Sequence, residues 1–206
     1  MVANRTAPGL ILEDGVSPPW VGQTMSLDEF LRLPEVKPHL EFTDGLVTQK
    51  MAAKPTHGSV QGLFWMRFNQ IAGPRRLGVA FPETRFVTPT WAPVPDVVYY
   101  RRERIHWNGN RPPADFTEVP DIAVEIVSPT QSVTVLIKKC IRYVGLGTQI
   151  ALLVDPDEET VLVFRPGQPL RLLQGADRID LDDVLPGFDL TVQGMFDALV
   201  PDWVAE

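Results

Sequence analysis

Two acids interrupt apolar stretches of this chain, Asp96 in VPDVVYY and Glu125 in PDIAVEIVS. In the second stretch Ile122, Val124 and Ile126 alternate with Ala123 and Glu125, so a period of two sets the glutamate on the face opposite the isoleucines. Taken singly, each acid has a plain explanation. Asp96 follows a proline and starts a strand; Glu125 faces water on a half-exposed sheet, or pairs with a buried cation. Together, two carboxylates on neighbouring strands facing one side make the hard, oxygen-rich pocket that Mg²⁺ prefers.

A lysine is available to such a pocket. In QSVTVLIKKCIRYVGLG, Leu136, Cys140, Tyr143 and Val144 share a stripe at helical spacing. At about 100° per residue Lys139 flanks that stripe, whereas Lys138 points nearly opposite, on the outer face with Arg142. A lysine beside a metal-bound scissile phosphate can stabilise developing negative charge. The alternative is a stem lying along apolar surface with its head in water.

The elements that must position these groups are legible in outline. Ser26 caps a short helix with Glu29 three residues on, the reciprocal capping pattern. HLEFTDGLVTQKM alternates around Asp44-Gly45, a tight-turn signal, which makes it a hairpin with Glu41 on its first strand. HGSVQGLFWMRFNQIA repeats apolar residues at three- and four-residue intervals, an amphipathic helix expected to stop at Gly73-Pro74 and to start near His57. Strand-like pieces follow in VAFPETRFVT, VPDVVYY and VPDIAVEIVS, then the helix bearing Lys139. IALLVDPDEETVLVFRPG reads as two strands around a solvated acidic turn that lacks the ligand spacing of a calcium loop. LPGFDLTVQGMFDAL reads as a short strand and a closing helix. The order predicts an α/β (α+β) domain, one mixed central β-sheet flanked by helices.

Composition bounds the rest. The 206 residues, 44% hydrophobic, suit one sizeable core. Residues 25–206 are expected to form that single domain, and residues 1–24, rich in Pro, Gly and small polar residues, an N-terminal arm, disordered or packed on a partner. A net charge of −7 confines any nucleic-acid contact to local clusters or to a metal. The clusters Arg75-Arg76 and Arg101-Arg102-Arg104 are equally well explained as solvated loop charges. One cysteine, Cys140, excludes an intrachain disulfide and points to a reducing compartment. No membrane span or secretory signal is evident, so a cytoplasmic location is expected.

The ordered set LEFTDGLV, PTHGSV, FPETRF, VPDVVYY, DIAVEIVSPT, IKKCIRYVGLG and ALLVDPDEETVLVFRPG resembles the Uma2 (DUF820) endonuclease family of the PD-(D/E)XK nuclease superfamily, from about Ser26 to about Leu199. The resemblance implies a restriction-endonuclease-like fold and hydrolysis of DNA phosphodiester bonds by a metal-activated water. It implies that Glu41, Asp96 and Glu125 hold Mg²⁺, with Mn²⁺ as a substitute, helped by the backbone carbonyl of Ile126. The lysine that normally stands two residues after the glutamate is absent, since Val127 is there, and the family pattern moves it to Lys139. His57 falls near the family's Pro-x-His position, as an auxiliary site contact or as a capping or surface residue. Two departures stand against full transfer: TQSVTVLI is apolar where the family is polar, and Val135 replaces a common aspartate. The alternative is a non-catalytic nucleic-acid-binding or assembly module retaining the nuclease fold. DNA is the expected substrate, with no membrane partner, and a homodimer is in keeping with the superfamily.

Overall fold

A computed structural model describes residues 17–129 and 131–200; most of the expected arm, residues 1–16, and residues 201–206 lie outside the described residues. Helix α1 (Leu27–Phe30) carries the capping box in full: Ser26 Oγ accepts from the Glu29 amide while the Glu29 carboxylate accepts from the Ser26 amide at 2.9 Å. Strands β1 (Leu40–Thr43) and β2 (Leu46–Gln49) form the expected hairpin, with Asp44 and Gly45 both at positive φ (50° and 95°). That pair of left-handed residues is what a two-residue turn of this twist demands.

Helix α2 (Pro55–Arg75) begins two residues before His57 and runs through Gly73-Pro74 instead of stopping there. Pro74 stands one residue from the end, so the helix it interrupts has only Arg75 left to run. Arg76, at φ 55°, makes the left-handed cap more usually given to glycine, and the Leu77 amide returns to the Ala72 carbonyl. The chain continues through β3 (Gly78–Pro82), β4 (Trp91–Ala92), β5 (Val97–Arg101) and a single 3-10 turn at Arg102–Arg104. Then come β6 (Ile122–Ile126), α3 (Val133–Gly145), β7 (Ile150–Asp155), β8 (Thr160–Phe164), β9 (Arg171–Gln174) and α4 (Val192–Asp197).

Six strands make the central mixed sheet in the order β3-β5-β6-β7-β8-β9. Only β6 and β7 are parallel, joined by the α3 crossover; the other neighbours are antiparallel. The hairpin stands apart, in a three-stranded sheet of order β2-β1-β4. It does not join the central sheet because β1 spends its free edge on the two-residue strand Trp91–Ala92. Residues 17–24 lean on this small sheet, with Gly22 and Gln23 exchanging backbone hydrogen bonds with Val47. The short strand expected before α4 amounts to one bridge, Arg178 to Thr191, and β9 forms instead.

Alternation assigns the two faces. Val97, Tyr99, Ile122, Val124, Ile126, Ile150 and Leu152 pack with Phe64 and Phe68 of α2 and Met195 of α4. Val98, Tyr100, Ala123, Ala151 and Leu153 pack with Leu136, Cys140 and Tyr143 of α3. Fully burying each large apolar side chain of this kind stabilises the fold by roughly 1.5–3 kcal/mol. Glu125 follows Ala123 onto the α3 face, and it is 2% exposed. The water-facing alternative is thereby excluded.

Candidate active site

Asp96 and Glu125 come together at the end of the β5–β6 ladder. The pairing register runs Val98–Ala123 and Val97–Val124, and the two acids occupy the next positions out, both on the α3 face. Asp96 is 2% exposed. Its Oδ2 accepts from the Ile126 amide at 2.8 Å and lies 3.2 Å from Nε2 of His57. Its Oδ1 lies 2.5 Å from Nζ of Lys50, which also donates to the Val94 carbonyl at 2.9 Å. The Asp96 carbonyl accepts from Gln61 at 2.9 Å, so the first two turns of α2 grip this residue twice.

The other half of the cluster is built on α3. Lys139 Nζ lies 2.7 Å from Oε1 of Glu41 and 2.9 Å from Oε1 of Glu125, joining the hairpin acid to the β6 acid. One turn on, Tyr143 donates its hydroxyl proton to the same Glu125 oxygen at 2.5 Å. Glu41 also accepts from the Val94 amide at 2.6 Å. Lys138 is exposed, on the outer face as its spacing predicts. His57 is 6% exposed, which removes the surface reading, and its buried Nδ1 has no hydrogen-bond partner among the described residues.

Burial and charge pull the two acids of the ladder apart. Burial alone would raise the Asp96 carboxyl, but Lys50 and then His57 outweigh it and hold the group well below the usual carboxylate range. For Glu125 burial wins over Lys139, and the adjacent Asp96 charge adds to the upward shift. Burial opposes the charge on Lys139, yet Glu125 and Glu41 more than compensate and hold it well above an ordinary lysine. Neighbouring acids displaced in opposite directions are a frequent mark of functional sites.

Glu41, Asp96, Glu125 and Lys139 lie in this cluster directly and His57 joins it through Asp96, while Ile126 contacts it by its amide, not by the carbonyl that the resemblance implies. Sequence reasoning missed Lys50, Gln61 and Tyr143. Tyr143 was within reach, since it stands four residues after Lys139 and shares its face; Lys50 carried no such signal. Three of the five clustered arginines bond within the chain: Arg75 donates to the Pro186 carbonyl, Arg101 to that of Asp183, and Arg104 pairs with Glu118 and Asp121, while Arg76 and Arg102 are exposed.

The donors suit a hard divalent ion in kind, being carboxylate oxygens. They suit it in charge as well, because the three carboxylates outnumber the two lysine ammonium groups beside them. Among the described residues, however, no three His, Cys, Asp or Glu side chains are gathered closely enough to hold a metal ion directly. An ion fits here on condition that a lysine gives way.

A mixed sheet with an antiparallel strand pair delivering two acids, and a crossover helix delivering a lysine, defines a nuclease-fold protein. The chain belongs to the Uma2 family, described as "Putative restriction endonuclease", which it matches over residues 27–193. It is similar to the crystal structure of "a putative nuclease belonging to DUF820" from Anabaena variabilis ATCC 29413, at TM-score 0.81 and 31% identity, over 85% of this chain and 99% of that one. No curated protein matches it. Among the described residues no helix is long and apolar enough to cross a membrane.

Proposed function

We propose that this protein is a Mg²⁺-dependent endonuclease acting on DNA, with Mn²⁺ as a substitute. The observation that carries the reading is the convergence of Asp96 and Glu125 from one strand pair with Lys139 bridging Glu125 to Glu41. Asp96, Glu125, Glu41 and the Ile126 carbonyl would hold the ion. When bound, the ion supplies Lewis-acid polarisation of the phosphate and a lowered pKa for the attacking water. The chain's own residues do the rest. Ile126 N–H and His57 fix the plane of the Asp96 carboxylate, and Tyr143 fixes that of Glu125. Lys139, kept charged by its two carboxylates, offers a positive group where the phosphate would gain negative charge. Burial of both ladder acids strengthens each of these interactions by keeping water away.

The alternative, a nucleic-acid-binding or assembly module without turnover, draws on the start of α3, where Val133 and Val135 stand exposed in place of polar residues. Both are decided by incubating purified protein with supercoiled plasmid in Mg²⁺, Mn²⁺ or EDTA. Nicking that requires the metal and disappears in Glu125→Gln supports the nuclease. Retention of DNA without any strand scission supports the module.

A further inference from the structure

Resting on the metal-dependent reading above, we propose that Lys50 is an internal counter-ion that competes with a divalent cation for Asp96 and so sets how much metal the site requires. Both oxygens of Asp96 are already engaged, Oδ2 by the Ile126 amide and His57, Oδ1 by Lys50. Oδ2 already has two donors and Oδ1 has one, so a cation reaching Asp96 comes to Oδ1 and there meets the charge and bulk of the Lys50 ammonium. The Ile126 amide belongs to β6 and cannot leave without breaking the strand. His57 is buried in the first turn of α2.

Lys50 is different. It follows the last residue of β2, at the end of the small sheet, with its backbone amide donating to the His39 carbonyl. Its ammonium rides on a flexible four-carbon stem. Its side chain keeps 11% exposure, against 2% for the aspartate it touches. One carboxylate oxygen cannot accept an ammonium group and a divalent ion in the same position, so occupancy by one weakens the other, and the effect is reciprocal. Lys139 is not equivalent, because its contacts are to Glu41 and Glu125.

The test measures Mn²⁺ binding without DNA, by calorimetry and by electron paramagnetic resonance, on wild type, Lys50→Met, Lys50→Arg and Asp96→Asn. Methionine keeps the bulk of the stem and removes the charge. Lys50→Met should bind Mn²⁺ on the order of tenfold or more tighter than wild type. Mn²⁺ should also raise its melting temperature by more, since the metal-free variant leaves Asp96 without its ammonium. Lys50→Arg should stay near wild type, and adding Asp96→Asn should erase the gain. Lys50→Gln, which keeps a donor for the Val94 carbonyl, carries the comparison if Lys50→Met does not fold. Equal or weaker Mn²⁺ binding by the neutral variants, while wild type binds, would overturn the proposal and leave the nuclease reading intact. Absence of Mn²⁺ binding in folded wild type and folded variant alike would overturn both.

Discussion

The phenolic oxygen of Tyr143 lies 2.5 Å from Oε1 of Glu125, and this contact is what makes the acid's orientation independent of the lysine beside it. Burial, reinforced by the Glu125 charge, pushes the Tyr143 hydroxyl well above its usual pKa, so the phenol donates throughout the working range of a nuclease. Tyr143→Phe should therefore lower stability by about 1–3 kcal/mol, the cost of leaving a buried charged acceptor short of one donor. Urea unfolding measures that loss. A variant as stable as wild type that cuts DNA at the wild-type rate would reduce the contact to incidental packing.

The two adjacent lysines of α3 should separate cleanly. Lys139→Ala strands two carboxylates that share it, which should cost on the order of 3–5 kcal/mol and abolish cleavage. Lys138→Ala, on the exposed face, should leave melting and cleavage close to wild type. Comparable losses in the two variants would contradict the roles drawn from the helix face.

Asp96 and Glu125 should give opposite pH signatures in EDTA. The folded Glu125 carboxyl titrates above its reference value of 4.5, so its contribution is complete below that value and is lost as pH rises through the folded pKa. Glu125→Gln removes this loss and should gain on wild type, in melting temperature, as pH rises above 4.5. It does not strand Lys139, which keeps Glu41. The folded Asp96 carboxyl titrates below its reference value of 3.8, so its contribution is complete above that value and is lost as pH falls toward the folded pKa. The deficit of Asp96→Asn should accordingly shrink in acid. Parallel pH dependence in the two variants would refute the division of roles.

What the sequence revealed of the site follows from local periodicity. Asp96 and Glu125 could be placed on one sheet, and Lys139 on the correct side of its helix, because strand and helix periods fix direction without knowledge of the partner. Lys50 escaped because its position depends on how the hairpin docks, and docking depends on β4, a two-residue strand too short to leave a pattern. Strand β9 escaped for a related reason: as an edge strand it buries only Leu173, so Arg171-Leu172-Leu173-Gln174 shows no core-facing alternation. The proline of α2 misled because the usual stop signal lay where the helix was about to end.

The bridge from Lys139 to Glu41 spans 98 positions along the chain. Arg142 and Asp44 meet across the same span, and Arg142 stacks on Trp91 of the small sheet. Closing so long a loop is slow and entropically costly, and it becomes favourable only once the ends are held by structure of their own. The β5–β6 strand pair brings Asp96 and Glu125 together, whereas Glu41, on the other sheet, is tied to Glu125 through a single helix. A growing chain shorter than α3 can carry all three acids without yet possessing the bridge that joins Glu41 to the other two.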